Sequence, residues 1–121
     1  MNLTEVARIL RAEVIWGDEF LDSVDVTHAY GADLMSDVLA FARPGTLLIT
    51  GLTNIQIVRT AQMLDLPAVL FVRGKKPQDS AVALSKEVRL PMLVSPMSMF
   101  EACGLLFQNG IHPCTVPVRE G

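Results

Sequence analysis

Apolar residues fall along this chain in two rhythms, helical spacing and short unbroken runs, and the two alternate from residue 46 onward. Residues 3–10 place Val6, Ile9 and Leu10 on one helical face, with Asn2 or Thr4 available to accept from the orphan amides of the first turn. A brief strand is predicted at 12–16, stopped by Gly17 and Asp18, and a second at 24–29, where apolar and polar residues alternate. The stretch 19–22 is too short to assign. Asp33 is placed to cap a helix over 34–42, in which Leu34, Val38 and Leu39 recur at helical spacing before Arg43-Pro44-Gly45 ends it.

Leu47, Leu48 and Ile49 are consecutive and apolar, which predicts a central strand at 46–50 covered on both faces. Thr53 and Gln56 form a capping-box pattern that opens a helix over 54–64. Another buried strand is expected at 68–72, a helix opened by Pro77-Gln78-Asp79 and running to about residue 88, and a strand at 91–94. Ser98 and Glu101 repeat the capping box ahead of a helix through Phe107, closed by Asn109 and Gly110. Short connections between alternating strands and helices imply a three-layer α/β/α domain on a mainly parallel sheet of four or five strands. Residues 1–110 read as that single domain and 111–121, with two prolines and no period, as a C-terminal tail.

A chain of 121 residues can bury about two-thirds of its unfolded surface and sustain a core unaided. Half the residues are apolar and 19% are charged, so some apolar surface is expected to meet a partner, most simply a second copy in a homodimer. The net charge of −3 and a pI near 5.2 argue against nucleic-acid binding. No membrane span or signal peptide is read, which makes the cytoplasm the expected location, and two cysteines fit a reducing compartment.

In open parallel sheets, ligands bind beyond the carboxyl ends of the strands, where helix N-termini present free amides. Three segments are expected to converge on that rim: Gly51-Leu52-Thr53-Asn54, Arg73-Gly74-Lys75-Lys76 and the loop from Ser95 to Ser98. Gly51 permits close backbone approach and Arg73 or Lys75 supplies positive charge, a layout suited to an anionic, nucleotide-like molecule. The plainer reading is that Gly51 makes the turn, the hydroxyls cap helices and the basic residues are solvated.

His28 precedes Asp33 in a polar stretch, so acid–base chemistry at a rim formed by His28, Asp33 and Thr53 is the alternative, enzymatic reading. Asp33 already has a sufficient role as a cap, and His28 is expected as pocket lining. Cys103, His112 and Cys114 are candidate ligands for zinc, but a fourth is missing unless His28 or another chain supplies it, and Cys103 reads more simply as a small apolar helix residue. No metal, cofactor or catalytic residue is therefore expected. Gly74-Lys75 lacks the upstream glycine and following Ser or Thr of a phosphate-binding loop, and dinucleotide, nucleophile-elbow and zinc-protease motifs are absent from the sequence. Met92, Met97 and Met99 fit core packing better than a binding surface.

The runs Leu47-Leu48-Ile49-Thr50-Gly51-Leu52-Thr53-Asn54-Ile55-Gln56, Ala68-Val69-Leu70-Phe71-Val72-Arg73-Gly74 and Ser98-Met99-Phe100-Glu101-Ala102 together resemble a stand-alone DRTGG domain. The resemblance extends from Leu3 to about Gly110. Similar domains stand beside CBS domains in regulated pyrophosphatases, occur in some phosphotransacetylases and resemble the N-terminal domain of HPr kinase/phosphorylase. The resemblance implies a noncatalytic domain that dimerises and modulates an attached or neighbouring enzyme. Kinase activity in the HPr family belongs to a separate domain whose phosphate-binding loop this sequence lacks. Where many relatives have an Asp-Arg-Thr type of segment, Gly51-Leu52-Thr53-Asn54 carries neither acid nor base, so a role resting on those charges does not transfer. Stand-alone members are often encoded near iron-only hydrogenases, which implies a partner in redox or energy metabolism.

Overall fold

Asn2 supplies the first cap: its side chain accepts from the Glu5 amide at 2.9 Å and starts α1 (Leu3–Leu10), which buries Leu3, Val6 and Leu10. The structure, a computed structural model, describes residues 1–114. Arg11 turns left-handed at φ 50° and ends the helix. β1 (Glu13–Trp16) follows, and a single 3-10 turn, Asp18–Phe20, occupies the stretch that periodicity left unassigned.

The second strand lies later than the alternation predicts. β2 is His28–Gly31, whereas Val24 and Val26 serve α1 instead. The Leu3 amide donates to the Val24 carbonyl at 3.1 Å, the Val26 amide donates to Met1 at 2.8 Å, and Val26 is buried in the α1 core. Alternation marked burial correctly and the burying partner wrongly.

The remaining elements are α2 (Met35–Phe41), β3 (Thr46–Thr50), α3 (Ile55–Met63), β4 (Val69–Phe71), α4 (Asp79–Val88), β5 (Met92–Val94), α5 (Met99–Gln108) and β6 (His112–Pro113). Among the described residues the sheet has six strands in the order β1-β5-β4-β3-β2-β6, parallel except for β1. The strand beyond the expected four or five is β6, which forms within the segment read as a tail and pairs with β2 through His28↔His112 and Ala29↔Pro113. The rest of that segment, residues 115–121, lies outside the described residues.

β2 to β5 follow one another across the sheet, each joined to the next by a helix, so right-handed crossovers put α2, α3 and α4 on one face. The return from β5 to β6 runs the other way and carries α5 over the opposite face, beside α1. The strands divide their side chains accordingly. Leu47, Ile49, Leu70 and Leu93 face α1 and α5, while Leu48, Val69, Phe71 and Met92 face the other three helices. Both cores are apolar, and the three-layer expectation holds.

Candidate functional site

At the carboxyl end of β3 the Gly51 amide donates to Asp33 Oδ1 at 2.7 Å and the Leu52 amide to Thr50 Oγ1 at 3.1 Å. Asp33 therefore does not cap α2. The cap position falls to Leu34, which makes no side-chain bond, and the carboxylate ties the β2 and β3 ends together. A Cβ built on Gly51 would stand 2.6 Å from Arg73 Nη2 and 3.1 Å from Asp33 Oδ1, so an acid and a base converge where glycine leaves room. Neither Arg73 nor Lys75 forms an ion pair among the described residues.

Most rim amides are already engaged. Arg73 and Gly74, both left-handed, donate to Met97 and Ser95 carbonyls at 2.8 Å each, and the Lys75 amide donates to Val72 at 3.1 Å. Thr53 does not cap α3: Asn54 holds that position without a side-chain bond, and the Thr53 carbonyl accepts from the Gln78 amide at 2.9 Å. Ser95 is fully buried, donating to Leu10 at 2.7 Å and accepting from the Met97 amide at 3.1 Å, so it holds a loop and faces no ligand. Ser98 does cap α5, accepting from the Glu101 amide at 3.2 Å, while the Glu101 carboxylate meets the Ser98 hydroxyl rather than the cap amide. Of the expected residues, the structure brings Asp33, Gly51 and Arg73 together, with exposed Lys75 beside them in sequence.

His28 stands at the other end of β2. It pairs with Thr46, the first residue of β3, and shares a cavity of about 220 Å³ with Thr27, Arg43, Thr46 and Cys114. At about 3.3 Å per residue, roughly 10 Å of strand separate it from Gly31 and more from Asp33. The acid–base arrangement of His28, Asp33 and Thr53 is not assembled. The His28 and His112 rings lie side by side, centroids 5.6 Å apart; Cys114 lines the His28 cavity with its Sγ 3.2 Å from Thr46 Oγ1, while Cys103 Sγ sits over Gly31. Among the described residues no group of three or more His, Cys, Asp or Glu gathers to hold a metal.

The feature that periodicity missed is a cleft of about 420 Å³ beneath α5. Ala29, Gly31 and Ile49 line it from the sheet, Met99, Cys103 and Gly104 from the helix, and Phe100 and Phe107 stand at its open side. It lies where the strand order reverses, between β2 and β6, the place at which parallel sheets open a crevice. Gly31 makes the packing fit, since a Cβ there would come within 2.8 Å of Cys103 Sγ. Burial pushes the Cys103 thiol above its ordinary value. Tyr30, whose ring packs on the other face of the sheet against Phe41 of α2, is raised by burial first, then by Asp37 and Cys114. What the sequence does carry is a mark of the helix at the cleft's open side, two phenylalanines seven residues apart with small residues between them.

The DRTGG domain family matches residues 5–108. The chain belongs to the DRTGG domain family. Its fold is similar to that of the CBS and DRTGG domains of the regulatory region of Clostridium perfringens pyrophosphatase, a structure complexed with its activator, diadenosine tetraphosphate. The TM-score is 0.68 at 17% identity, over 91% of this DRTGG chain and 47% of that one. This chain thus spans about half the length of that regulatory region, and the likeness carries the fold alone. No curated protein matches the sequence.

Proposed function

We propose that this DRTGG domain is a noncatalytic regulatory module that works as a homodimer and binds a nucleotide-like metabolite. The observation that carries the reading is that two segments lining an apolar cleft lead within two residues to a charged rim. Gly31 lines the cleft and Asp33, two residues on, holds Gly51 beside Arg73; Met99 lines the cleft and the Met97 carbonyl holds the Arg73 turn. An aromatic base suits the apolar part, whose volume falls within the range of small-molecule pockets. Phosphates suit Arg73 and Lys75, and a sugar hydroxyl suits the Asp33 carboxylate. The Clostridium pyrophosphatase supports the reading, because there a domain of this family sits in a regulatory region complexed with a dinucleotide. The output is proposed to be a neighbouring enzyme of redox or energy metabolism in the cytoplasm, where the free thiols of Cys103 and Cys114 stay reduced.

Calorimetric titration with ADP, ATP and diadenosine tetraphosphate tests the proposal. Saturable binding is expected, weakened about tenfold or more in the Arg73→Ala/Lys75→Ala variant and weaker still for unphosphorylated adenosine. Absence of heat with all three nucleotides, or equal affinity in the double variant, would overturn it.

A further inference from the structure

We infer that Gly51 is a positioning residue, kept without a side chain so that the guanidinium of Arg73 lies across the end of the sheet beside Asp33 and meets a phosphoryl group there. The inference rests on the nucleotide reading above and assigns its charge recognition to one seated arginine. Sheet order sets the three residues in a row. Strands β2, β3 and β4 are parallel neighbours, and Asp33, Gly51 and Arg73 each stand one or two residues past the carboxyl end of their strand. The Asp33 carboxylate accepts from the Gly51 amide at 2.7 Å, which ties the middle of the row to its acidic side.

A chain position calls for glycine either through its backbone or through the space around it. The backbone of Gly51 lies outside the left-handed region and suits any L residue. Space is what excludes a side chain. Setting aside its chain neighbours, the atoms nearest to a Cβ built there are Arg73 Nη2 at 2.6 Å, Asp33 Oδ1 at 3.1 Å and Arg73 Cζ at 3.5 Å. All three belong to charged groups, whereas at Gly31 the obstacles are the sulfurs of Cys103 and Met99 beneath α5. Glycine at 51 therefore makes room for a guanidinium and not for the core.

Arg73 adds an independent observation from its own side. Its backbone is left-handed at φ 58°, a conformation that glycine adopts at lower cost. Arg11, Asp65 and Arg89 share it, but each follows a helix, where a left-handed residue is an ordinary ending. Arg73 follows a strand, and its side chain is what the strain retains. The turn beneath it is pinned: the Arg73 and Gly74 amides donate to the Met97 and Ser95 carbonyls at 2.8 Å each, and Ser95 is itself buried and bonded to Leu10. A pinned turn and a glycine floor set the guanidinium down in one place, exposed and in no ion pair among the described residues. Its planar fork matches a phosphoryl group through two parallel bonds, which the single ammonium of Lys75 does not.

Calorimetric titration with ADP, ATP and diadenosine tetraphosphate, and thermal unfolding without ligand, test the assignment on the whole chain carrying Gly51→Ala, Arg73→Ala or both. Gly51→Ala is expected to melt at or slightly above the wild-type temperature, because its backbone suits alanine and the atoms displaced end a flexible arginine. It is nonetheless expected to weaken nucleotide binding about tenfold, as far as Arg73→Ala does, since the guanidinium is pushed from its seat. The double variant is expected to bind no more weakly than Arg73→Ala, because the glycine acts through the arginine. Wild-type affinity in Gly51→Ala, or a further loss in the double variant, overturns the assignment and leaves the nucleotide reading standing. A clear fall in the melting temperature of Gly51→Ala also overturns it, by giving the glycine to packing. A wild type that binds none of the three nucleotides overturns both.

Discussion

At Gly31 and Cys103, one strand residue and one helix residue share a space that fits only one side chain. Gly31→Ala would drive a methyl to 2.8 Å from the sulfur, and overpacking of this kind costs about 1–3 kcal/mol. Cys103→Ala in the same chain removes the obstacle, so the double variant is expected to be more stable than Gly31→Ala alone, a coupling that a denaturant-melt cycle measures. The residue scale also shows where sequence reading succeeds and fails. Ser98 was legible because its partner, the Glu101 amide, lies three residues away. Asp33 was not, because its partner is the Gly51 amide, 18 residues on, brought close by the pairing of β2 with β3.

Helix caps carry the same lesson to the element scale. Two capping-box patterns occur, and only the one at α5 has its hydroxyl on the first-turn amide. Ser98→Ala is therefore expected to cost about 1 kcal/mol, while Thr53→Ala is expected to change the melting temperature little, both read by thermal unfolding. Strands β3, β4 and β5 were legible because burial on both faces demands unbroken apolar runs, and all three are buried throughout. β2 was displaced because the alternation at Val24 and Val26 answers to α1. β6 was invisible because two residues, one of them proline, have no period to detect.

For the whole molecule, the alternation of strand and helix was enough to predict the layers, and the resemblance anticipated the family that matches residues 5–108. The cleft was out of reach because it arises from the α5 return across the sheet, a property of strand order. Burial on the two faces of the sheet gives a pH signature. Tyr30 and Cys103 both titrate above their ordinary values in the fold, so the unfolded chain loses these protons first as pH rises. Their contribution to stability is intact below the ordinary thiol value of about 8.5 and is lost as pH climbs through the raised values, past about 10 for the phenol. The melting temperature is expected to fall over this alkaline range, and less steeply in Tyr30→Phe/Cys103→Ala. Equal slopes would mean that other groups set the alkaline limit.

β6 has a consequence for how this chain avoids fibres. It closes one side of the sheet with two residues, and Pro113 has no amide to offer an incoming strand. On the far side, the register of β1 slips between Val14 and Trp16, and exposed Glu13 stands at its start. Kinked, charged or proline-bearing borders do not template further strands. Among the described residues both margins of the sheet are therefore poor templates for a further strand, so copies of the chain can meet without extending it.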